Sequence, residues 1–240
     1  PLSLAVPATF GPAELRALQD AAAVAGLELA RCPATPDCLL ACLNAKHPLP
    51  ADAAPKRVVI VDMGASATTV TAAELRPGGA APKVLATRCE AVGCQHIDYK
   101  LWEHFCAWVK EQPRTKDVEV EAGTKRSFRL LRGIEKLRKL LSTIPLARAM
   151  VESLGEDIDV QIEADRELLL RCGADEFGRV RSLLLEAKAA CGDYATVSVE
   201  IVGGGTRMSV VHDLIGEVFS RTVVMGQKLD DASAAFGAAI

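Results

Sequence analysis

The segment that indicates the class of fold most clearly is Arg57-Val-Val-Ile-Val-Asp-Met-Gly-Ala-Ser66. Its run of β-branched residues is typical of a buried strand. The run ends in an acidic residue and a turn of small residues. Backbone N–H groups in such a turn can approach phosphate oxygens, and the Asp62 carboxylate can hold a metal ion or its water. The alternative is an ordinary turn in which Asp62 bonds the loop backbone.

A second segment, Val197-Ser-Val-Glu-Ile-Val-Gly-Gly-Gly-Thr-Arg207, has the same plan of strand, glycine-rich loop and helix. Glycines remove the side-chain barrier to an anion, and the N-terminus of the following helix offers free N–H groups. The loop fits neither the Walker A pattern nor GxGxxG. It can also be an ordinary flexible loop, but three consecutive glycines cost conformational entropy, which favours a function in anion or nucleotide binding.

Strands and helices are predicted on both sides of these segments from hydrophobic periodicity and turn residues. Further strands are expected over residues 3–6, 27–32, 67–75, 83–89, 149–154 and 160–163. Helices are expected over residues 13–25, 37–44, 97–110, 125–141, 166–190, 208–219 and 230–239. The longest of these, 166–190, contains Gly173 and Gly178 and is predicted as one helix or two. Alternating strands and helices indicate an α/β protein.

The amino-acid composition of the chain argues against several classes of protein. The chain has 240 residues, of which 50% are hydrophobic and 25% charged, so it can bury a core and is not a disordered or fibrous protein. Its net charge of −3 argues against attachment to nucleic acid by bulk positive charge. The basic helix at 125–141 is interpreted as a solvated face, and a nucleic-acid or phosphate-binding face is the less favoured alternative. No apolar run approaches the roughly 20 residues of a membrane helix, and no signal peptide is visible.

The eight cysteines are irregularly spaced and include no CxxC pair, which argues against a zinc site and a disulfide framework. Buried thiols in a reducing, cytoplasmic compartment are expected instead. Neither GxSxG nor HExxH occurs, so no nucleophile and base can be paired from the sequence. Because the chain opens at Pro1 within a predicted strand, we interpret it as part of a longer or processed protein.

Taken in order, these segments resemble the nucleotide-binding domain of the seventy-kilodalton heat-shock chaperones, and more closely that of their hundred-and-ten-kilodalton relatives. The resemblance covers nearly the whole chain. The matching stretches are residues 4–10, 16–26, 61–64, 92–93 with Asp98, 135–142, 201–207 and 230–240.

The resemblance implies an α/β fold of the actin-like ATPase (ribonuclease H-like) type, mainly lobe II with a remnant of lobe I. Residues 1–56 would be the lobe I remnant and a connector. Residues 57–92 and 175–240 would form the inner part of lobe II with a closing helix, and 93–174 its outer cap. The family's first phosphate loop lies upstream of Pro1. Because a remnant without its sheet partners exposes strand edges, residues 1–44 are expected to be poorly ordered alone or to borrow a partner.

The resemblance also implies a set of site residues. Asp62 would be the catalytic and metal-binding residue. The nucleotide-binding positions would be Gly64, Gly93, Glu135, Arg138, Lys139, Ser142, Gly203, Gly204, Gly205, Arg207 and Asp230. Thr35, Ala67 and Thr69 stand where the family has other polar groups. ATP or ADP with Mg²⁺ is therefore the expected ligand, with weak hydrolysis or none, because adenosine contacts do not need the replaced groups.

The function implied is that of a co-chaperone that promotes nucleotide exchange on a seventy-kilodalton heat-shock chaperone. The outer cap would contact this partner through the helices at 97–110 and 125–141. Unfolded polypeptide would bind through a further domain outside this chain, and no membrane partner is expected. The alternative is a conventional, slow ATP-hydrolysing chaperone. A filament-forming or sugar-kinase member of the same fold is a third hypothesis.

Overall fold

The computed structural model describes residues 1–192, 197–220, 225–226 and 228–240. Its strands are β1 (Leu2–Ser3), β2 (Leu29–Arg31), β3 (Lys56–Met63), β4 (Thr68–Leu75), β5 (Lys83–Glu90), β6 (Leu146–Gly155), β7 (Ile158–Asp165), β8 (Val197–Val202) and β9 (Met225–Gly226). Its helices are α1 (Pro12–Val24), α2 (Thr35–Lys46), α3 (Cys94–Glu111), α4 (Lys125–Leu141), α5 (Arg166–Cys172), α6 (Ala174–Cys191), α7 (Ser209–Phe219) and α8 (Ser233–Ala239), with a 3₁₀ turn at Gly204–Arg207. Among the described residues, no helix combines the length and apolar content needed to cross a membrane.

A five-stranded sheet in the order β5-β4-β3-β8-β9 forms the centre of the molecule. The β3–β4 and β4–β5 pairs are antiparallel, whereas β3–β8 and β8–β9 are parallel. Helices cover β3 on both sides, which explains its unbroken apolar sequence. Val59 and Val61 pack into the larger core with α6 and α7, and Val58 and Ile60 pack into a smaller core with α2.

Helices α3 and α4 pack with each other, and α4 also packs on the β6–β7 hairpin. Along β6, Ala147, Ala149 and Val151 are buried while the residues between them are exposed, as expected for a strand with one covered face. Gly133 allows α4 to lie close to this face, because a Cβ there would stand 2.7 Å from Val151 Cγ2. The close packing of α4 on β6 therefore holds this helix in a fixed position.

The first 46 residues pack unevenly. Helix α1 has no buried residue, and β1 and β2 pair only with each other among the described strands. Helix α2 instead lies against α8, where the backbones approach so closely that a side chain at Gly237 would overlap Cys38 O. Ser3 Oγ donates to Ala238 O, which ties β1 to α8.

Several element boundaries differ from the sequence predictions. The strand expected over residues 3–6 is wrong: β1 is Leu2–Ser3, and Val6 makes an isolated bridge to Ala34. The helix expected from residue 230 begins at Ser233, because Asp230 Oδ1 accepts hydrogen bonds from Ala232 N and Ser233 Oγ and forms a turn instead. The predicted segment 166–190 is two helices divided at Gly173, while Gly178 lies within α6. The predicted α4 and β8 are confirmed to the residue.

Candidate functional site

The site lies where the C-terminal ends of the parallel strands β3 and β8 meet. Gly203 follows β8 with φ of +87°, a value that L side chains rarely adopt. A Cβ there would stand 2.5 Å from Met63 O and 2.8 Å from Asp62 Oδ1. A Cβ on Gly205 would overlap Met63 Cγ. The glycines therefore let the loop after β8 lie directly on the end of β3.

The turn after β3 is held by the N-terminus of α3. Gly64 N–H donates to Ala67 O at 3.0 Å and closes the turn. Cys94 N–H donates to Gly64 O at 3.1 Å, and Gln95 N–H donates to Ala65 O at 2.9 Å. Gly93 permits this contact, since its Cβ would lie 2.5 Å from Ala65 O. Three hydrogen bonds thus fix the turn that the sequence predicts to approach phosphate.

A cavity of about 620 Å³ opens between this turn, the second half of α4 and the glycine loop. Pockets that bind small ligands have volumes of this order. Its lining includes Gly64, Glu135, Arg138, Lys139, Ser142, Gly204, Gly205 and Arg207. An adjoining cavity of about 340 Å³ is lined by Gly203, Arg207 and Asp230. The fold thus brings together residues that are up to 166 positions apart, from Gly64 to Asp230.

The cationic side chains around the larger cavity differ in how firmly the protein holds them. Arg138 is buried and donates from Nε to Asp98 Oδ1 at 2.6 Å and from Nη2 to Asp98 Oδ2 at 3.1 Å. Lys139 pairs with Glu135 at 2.7 Å, and both side chains are exposed to solvent. Arg207 is exposed at the end of the 3₁₀ turn. Lys139 and Arg207 can therefore move to meet an anion, whereas α3 holds Arg138 in place.

Asp62 lies near the end of β3, in register with Thr69 of β4 and Val202 of β8. Burial raises the pKa of its carboxyl from 3.8 to about 6. Among the described residues, no group of three or more His, Cys, Asp or Glu side chains is placed to hold a metal ion. Mg²⁺ usually takes one or two carboxylates together with substrate phosphates and water. The single Asp62 carboxylate fits an ion that arrives with a nucleotide.

The residues at the replaced positions have local roles. Thr35 begins α2, and both its N–H and its Oγ1 donate to Val6 O, at 2.7 and 2.9 Å. Thr69 Oγ1 donates to Cys89 Sγ at 3.3 Å. Ala67 has no polar side chain and contributes its carbonyl to the turn after β3. The hydroxyl groups of Thr35 and Thr69 are therefore engaged within the protein.

Sequence reasoning misses two features of the site. Cys94 lines the large cavity, and burial raises the pKa of its thiol. Asp98 is matched only as part of a turn, yet it holds Arg138, which is 40 positions away in the chain. No local spacing connects these two residues, because the pair depends on how α3 packs against α4.

Comparison with known proteins gives concordant results. The sequence profile of the family described as "Hsp70 protein" matches residues 2–240. "Heat shock 70 kDa protein 4" of Rattus norvegicus is 33% identical over 240 residues, which cover 95% of this chain and 27% of that protein. The Homo sapiens protein of the same name is 32% identical over the same shares.

A further relative belongs to the same group of matches. A heat shock protein homolog of Lachancea kluyveri is 31% identical over 244 residues, covering 97% of this chain and 34% of that protein. The chain thus spans about a quarter to a third of the length of the curated relatives it matches.

Proposed function

The chain belongs to the Hsp70 family, and from this premise we propose that it is a nucleotide-binding domain that holds ATP or ADP with Mg²⁺ and hydrolyses ATP weakly or not at all. The mixed α/β architecture supports the actin-like ATPase fold, with residues 57–92 and 175–240 as the inner part of lobe II and 93–174 as its outer cap. Residues 1–56 form the lobe I remnant and connector in this proposal.

One observation carries the proposal: the cavity of about 620 Å³ is lined by both glycine-containing turns and by the second half of α4. Glu135 and Ser142 supply oxygens for the hydroxyl and amino groups of an adenosine. Lys139 and Arg207 supply positive charge for phosphates, and the glycines of the two turns leave backbone open to them. Each component of a nucleotide therefore has complementary groups in the lining of the cavity.

The expectation of weak hydrolysis rests on the residues at positions 35, 67 and 69. Transfer of a phosphoryl group to water requires neutralised phosphate charge and a positioned water molecule. The Thr35 and Thr69 hydroxyls are hydrogen-bonded elsewhere, and Ala67 offers no side-chain donor. Asp62 would then be the one remaining polar group of the set that holds the metal ion or the attacking water. Nucleotide binding survives this arrangement because the adenosine side is separate from it.

Calorimetric titration of ADP and of ATP with Mg²⁺ tests binding directly. The titration is made into this chain and into a version extended upstream to restore lobe I. Lys139→Glu is expected to weaken ADP binding at least about tenfold, because it reverses the charge of a cavity cation. Lys136→Glu is the matched control, since Lys136 is exposed on the same helix and should bind like the wild type. Failure of both chain lengths to bind either nucleotide would refute the proposal.

The alternative, a conventional slow ATPase, is decided by single-turnover hydrolysis of ATP. If hydrolysis occurs and Asp62→Asn abolishes it, the alternative is correct. If ATP stays bound and intact in both proteins over the same interval, the weak-hydrolysis proposal stands. A Thr69→Asp variant restores an acidic group beside Asp62 in the register and provides a positive comparison.

We further propose that the domain acts in a cytoplasmic co-chaperone that promotes nucleotide exchange on a seventy-kilodalton chaperone. Helices α3 and α4 of the cap are the contact surface, and unfolded polypeptide would bind to a domain outside this chain. The exposed face of α4 presents Arg129 and Arg132 beside Phe128, which suits an acidic surface with an apolar centre.

Release of a fluorescent ADP analogue from the partner chaperone, with and without added chain, measures this activity. Arg129→Glu together with Arg132→Glu should remove any acceleration of release. Arg179→Glu, on the exposed side of α6, should leave it unchanged. Equal effects of these variants would argue against α4 as the contact surface.

A further inference from the structure

A separate cavity of about 560 Å³ lies between the first halves of α3 and α4, at the N-terminus of α6. Asp98 lines this cavity, while its partner Arg138 lines the proposed nucleotide cavity. The two cavities are neighbours, and Glu135 lines both of them. We call the space bounded by α3, α4 and α6 the cap cavity.

Glu176, on the first turn of α6, places a carboxylate in the lining of the cap cavity. The residue is 8% exposed, and its Oε2 is buried without a hydrogen-bond partner in the described part of the chain. A buried carboxylate oxygen without a donor has lost its hydration and gains no hydrogen bond in return, which costs free energy. Most buried polar atoms in folded proteins have a hydrogen-bond partner, so this oxygen marks a place where a donor can bind.

Four other charged side chains line the cap cavity, and one of them, Arg132 of α4, is exposed to solvent. Asp98 is held by Arg138, and Glu135 pairs with Lys139. Lys100 lies on the same cavity wall, but its ammonium donates to Glu103 at 3.1 Å. None of these groups forms a hydrogen bond with Glu176 Oε2, so a donor that enters the cavity can bind this oxygen.

Apolar and aromatic groups form the remaining wall. Tyr99 is 46% exposed and Phe128 is 56% exposed, and Leu131 packs beside them at the edge of the core. Tyr99 stacks on Trp102 with ring centroids 5.2 Å apart, which fixes the face of the tyrosine ring. Aromatic faces attract both apolar groups and cations. This wall suits a ligand that joins a positive charge to an apolar body.

We propose that the cap cavity binds a small organic cation, with an ammonium or guanidinium group opposite Glu176 and an aromatic or alkyl body against Tyr99, Phe128 and Leu131. The occupant is a free small molecule, because the Glu176 residue is more than nine-tenths buried and the charged group has to enter the cavity to reach it. The proposal is independent of nucleotide binding in the neighbouring cavity.

Three probes of similar shape and different charge test the proposal: benzylamine, benzyl alcohol and benzoate. Each is titrated into the ¹⁵N-labelled chain and followed by the amide shifts of Tyr99, Leu131 and Glu176 and by tryptophan fluorescence. Saturable shifts with benzylamine are expected, with a dissociation constant at least about tenfold lower than for the neutral alcohol or the anion.

Two variants identify the groups responsible. Glu176→Gln is expected to weaken benzylamine binding at least about tenfold, because it removes the counter-charge but keeps the shape. Glu111→Gln removes an exposed carboxylate at the other end of the same helix as Tyr99, away from the cavity, and should leave binding unchanged. Phe128→Ala removes the apolar wall at an exposed position, so it stays folded even if Glu176→Gln does not, and it should also weaken binding.

Other outcomes would overturn the proposal. Equal binding of benzylamine and benzyl alcohol would show that the charge of Glu176 has no role. Unchanged binding in Phe128→Ala, or in a folded Glu176→Gln, would place the cation elsewhere. A peptide amide of the sequence Phe-Arg that binds at least about tenfold more tightly than benzylamine would assign the cavity to a protein side chain instead of a free molecule.

Discussion

Gly203 and Gly204 are adjacent, but Gly203 lies in a crowded position and Gly204 in open space. Gly203 has φ of +87°, and its Cβ would stand 2.5 Å from Met63 O, whereas nothing lies within 4 Å of a Cβ on Gly204. We expect Gly203→Ala to lower the free energy of unfolding by about 1–3 kcal/mol or more, because it adds backbone strain to a steric overlap. Gly204→Ala should leave stability within about 0.5 kcal/mol of the wild type.

Thermal and urea unfolding of both variants measures the difference. The comparison is closely matched, since the two substitutions add the same methyl group one position apart in the same loop. If Gly204→Ala destabilised the protein as much as Gly203→Ala, the close approach of the loop to Met63 O would not be the cause.

Asp62 gives a prediction about pH. Its pKa is raised to about 6 by burial, so between pH 3.8 and about 6 the folded state binds more protons than the unfolded state. The free energy of unfolding therefore falls as pH rises through this window and stays low above it. Asp62→Asn removes the cost of ionisation and should stabilise the protein by about 2 kcal/mol near pH 7. The gain should vanish near pH 4.

Urea unfolding of wild type and Asp62→Asn across this pH range gives the measurement. Asp52→Asn, at an exposed loop position, serves as the control and should run parallel to the wild type. A variant that is less stable than the wild type near pH 7 would mean that Asp62 makes a stabilising contact as a carboxylate. Residues that reduce the folding stability of their own protein are typical of functional sites.

Helices α3 and α4 are joined by the buried pair of Asp98 and Arg138. Removing one member leaves a buried charge without a partner, so Asp98→Asn should cost about 3–5 kcal/mol of unfolding free energy. The double variant Asp98→Asn with Arg138→Met removes both charges and should recover at least about half of that loss. Urea unfolding of the single and double variants checks both values.

An exposed ion pair provides the comparison for this prediction. Arg148 and Glu163 join β6 to β7 with both side chains largely in solvent. Glu163→Gln should therefore cost less than about 1 kcal/mol. A double variant as unstable as Asp98→Asn alone would show that the α3–α4 contact depends on Asp98 itself and not on the balance of charge.

The elements themselves are well predicted from sequence wherever hydrophobic periodicity is strong. Helix α4 repeats apolar residues at helical spacing and starts at a Thr124 cap, so both of its predicted ends are correct. Errors occur where side chains form turns, as at Asp230, or where a strand is only two residues long, as at Leu2–Ser3. In these places the boundary depends on tertiary hydrogen bonds that periodicity does not encode.

The whole molecule brings the site together in a way that local sequence does not show. The glycine turns and Asp62 are recognisable because each has a local pattern, and the resemblance supplies Glu135, Arg138, Lys139 and Ser142. Their meeting around one cavity depends on the parallel pairing of β3 with β8 and on the packing of α4. No sequence pattern predicts the ion pair between Asp98 and Arg138. None predicts the unpartnered Oε2 of Glu176 either.

The uneven packing of the first 46 residues predicts uneven protection from hydrogen exchange. Amides of α1 should exchange at least about a hundredfold faster than those of Val58–Val61 in β3, because α1 buries no side chain and is too short to be stable alone. Helix α2 should be intermediate, since α8 and the sheet cover it. Protection of α1 equal to that of β3 would contradict the expectation that residues 1–44 are poorly ordered.

The bond from Ser3 Oγ to Ala238 O joins residues 235 positions apart in the chain. During synthesis, β1 and α2 leave the ribosome long before α8 exists. At about 5–20 residues per second, the wait is on the order of 10–50 seconds. For that interval the surface of α2 that contacts Gly237 has no cover, while the segments between can already fold. The packing of β1 and α2 against α8 is therefore a late step in the folding of residues 1–240, and until then the apolar face of α2 is open to contacts with other chains.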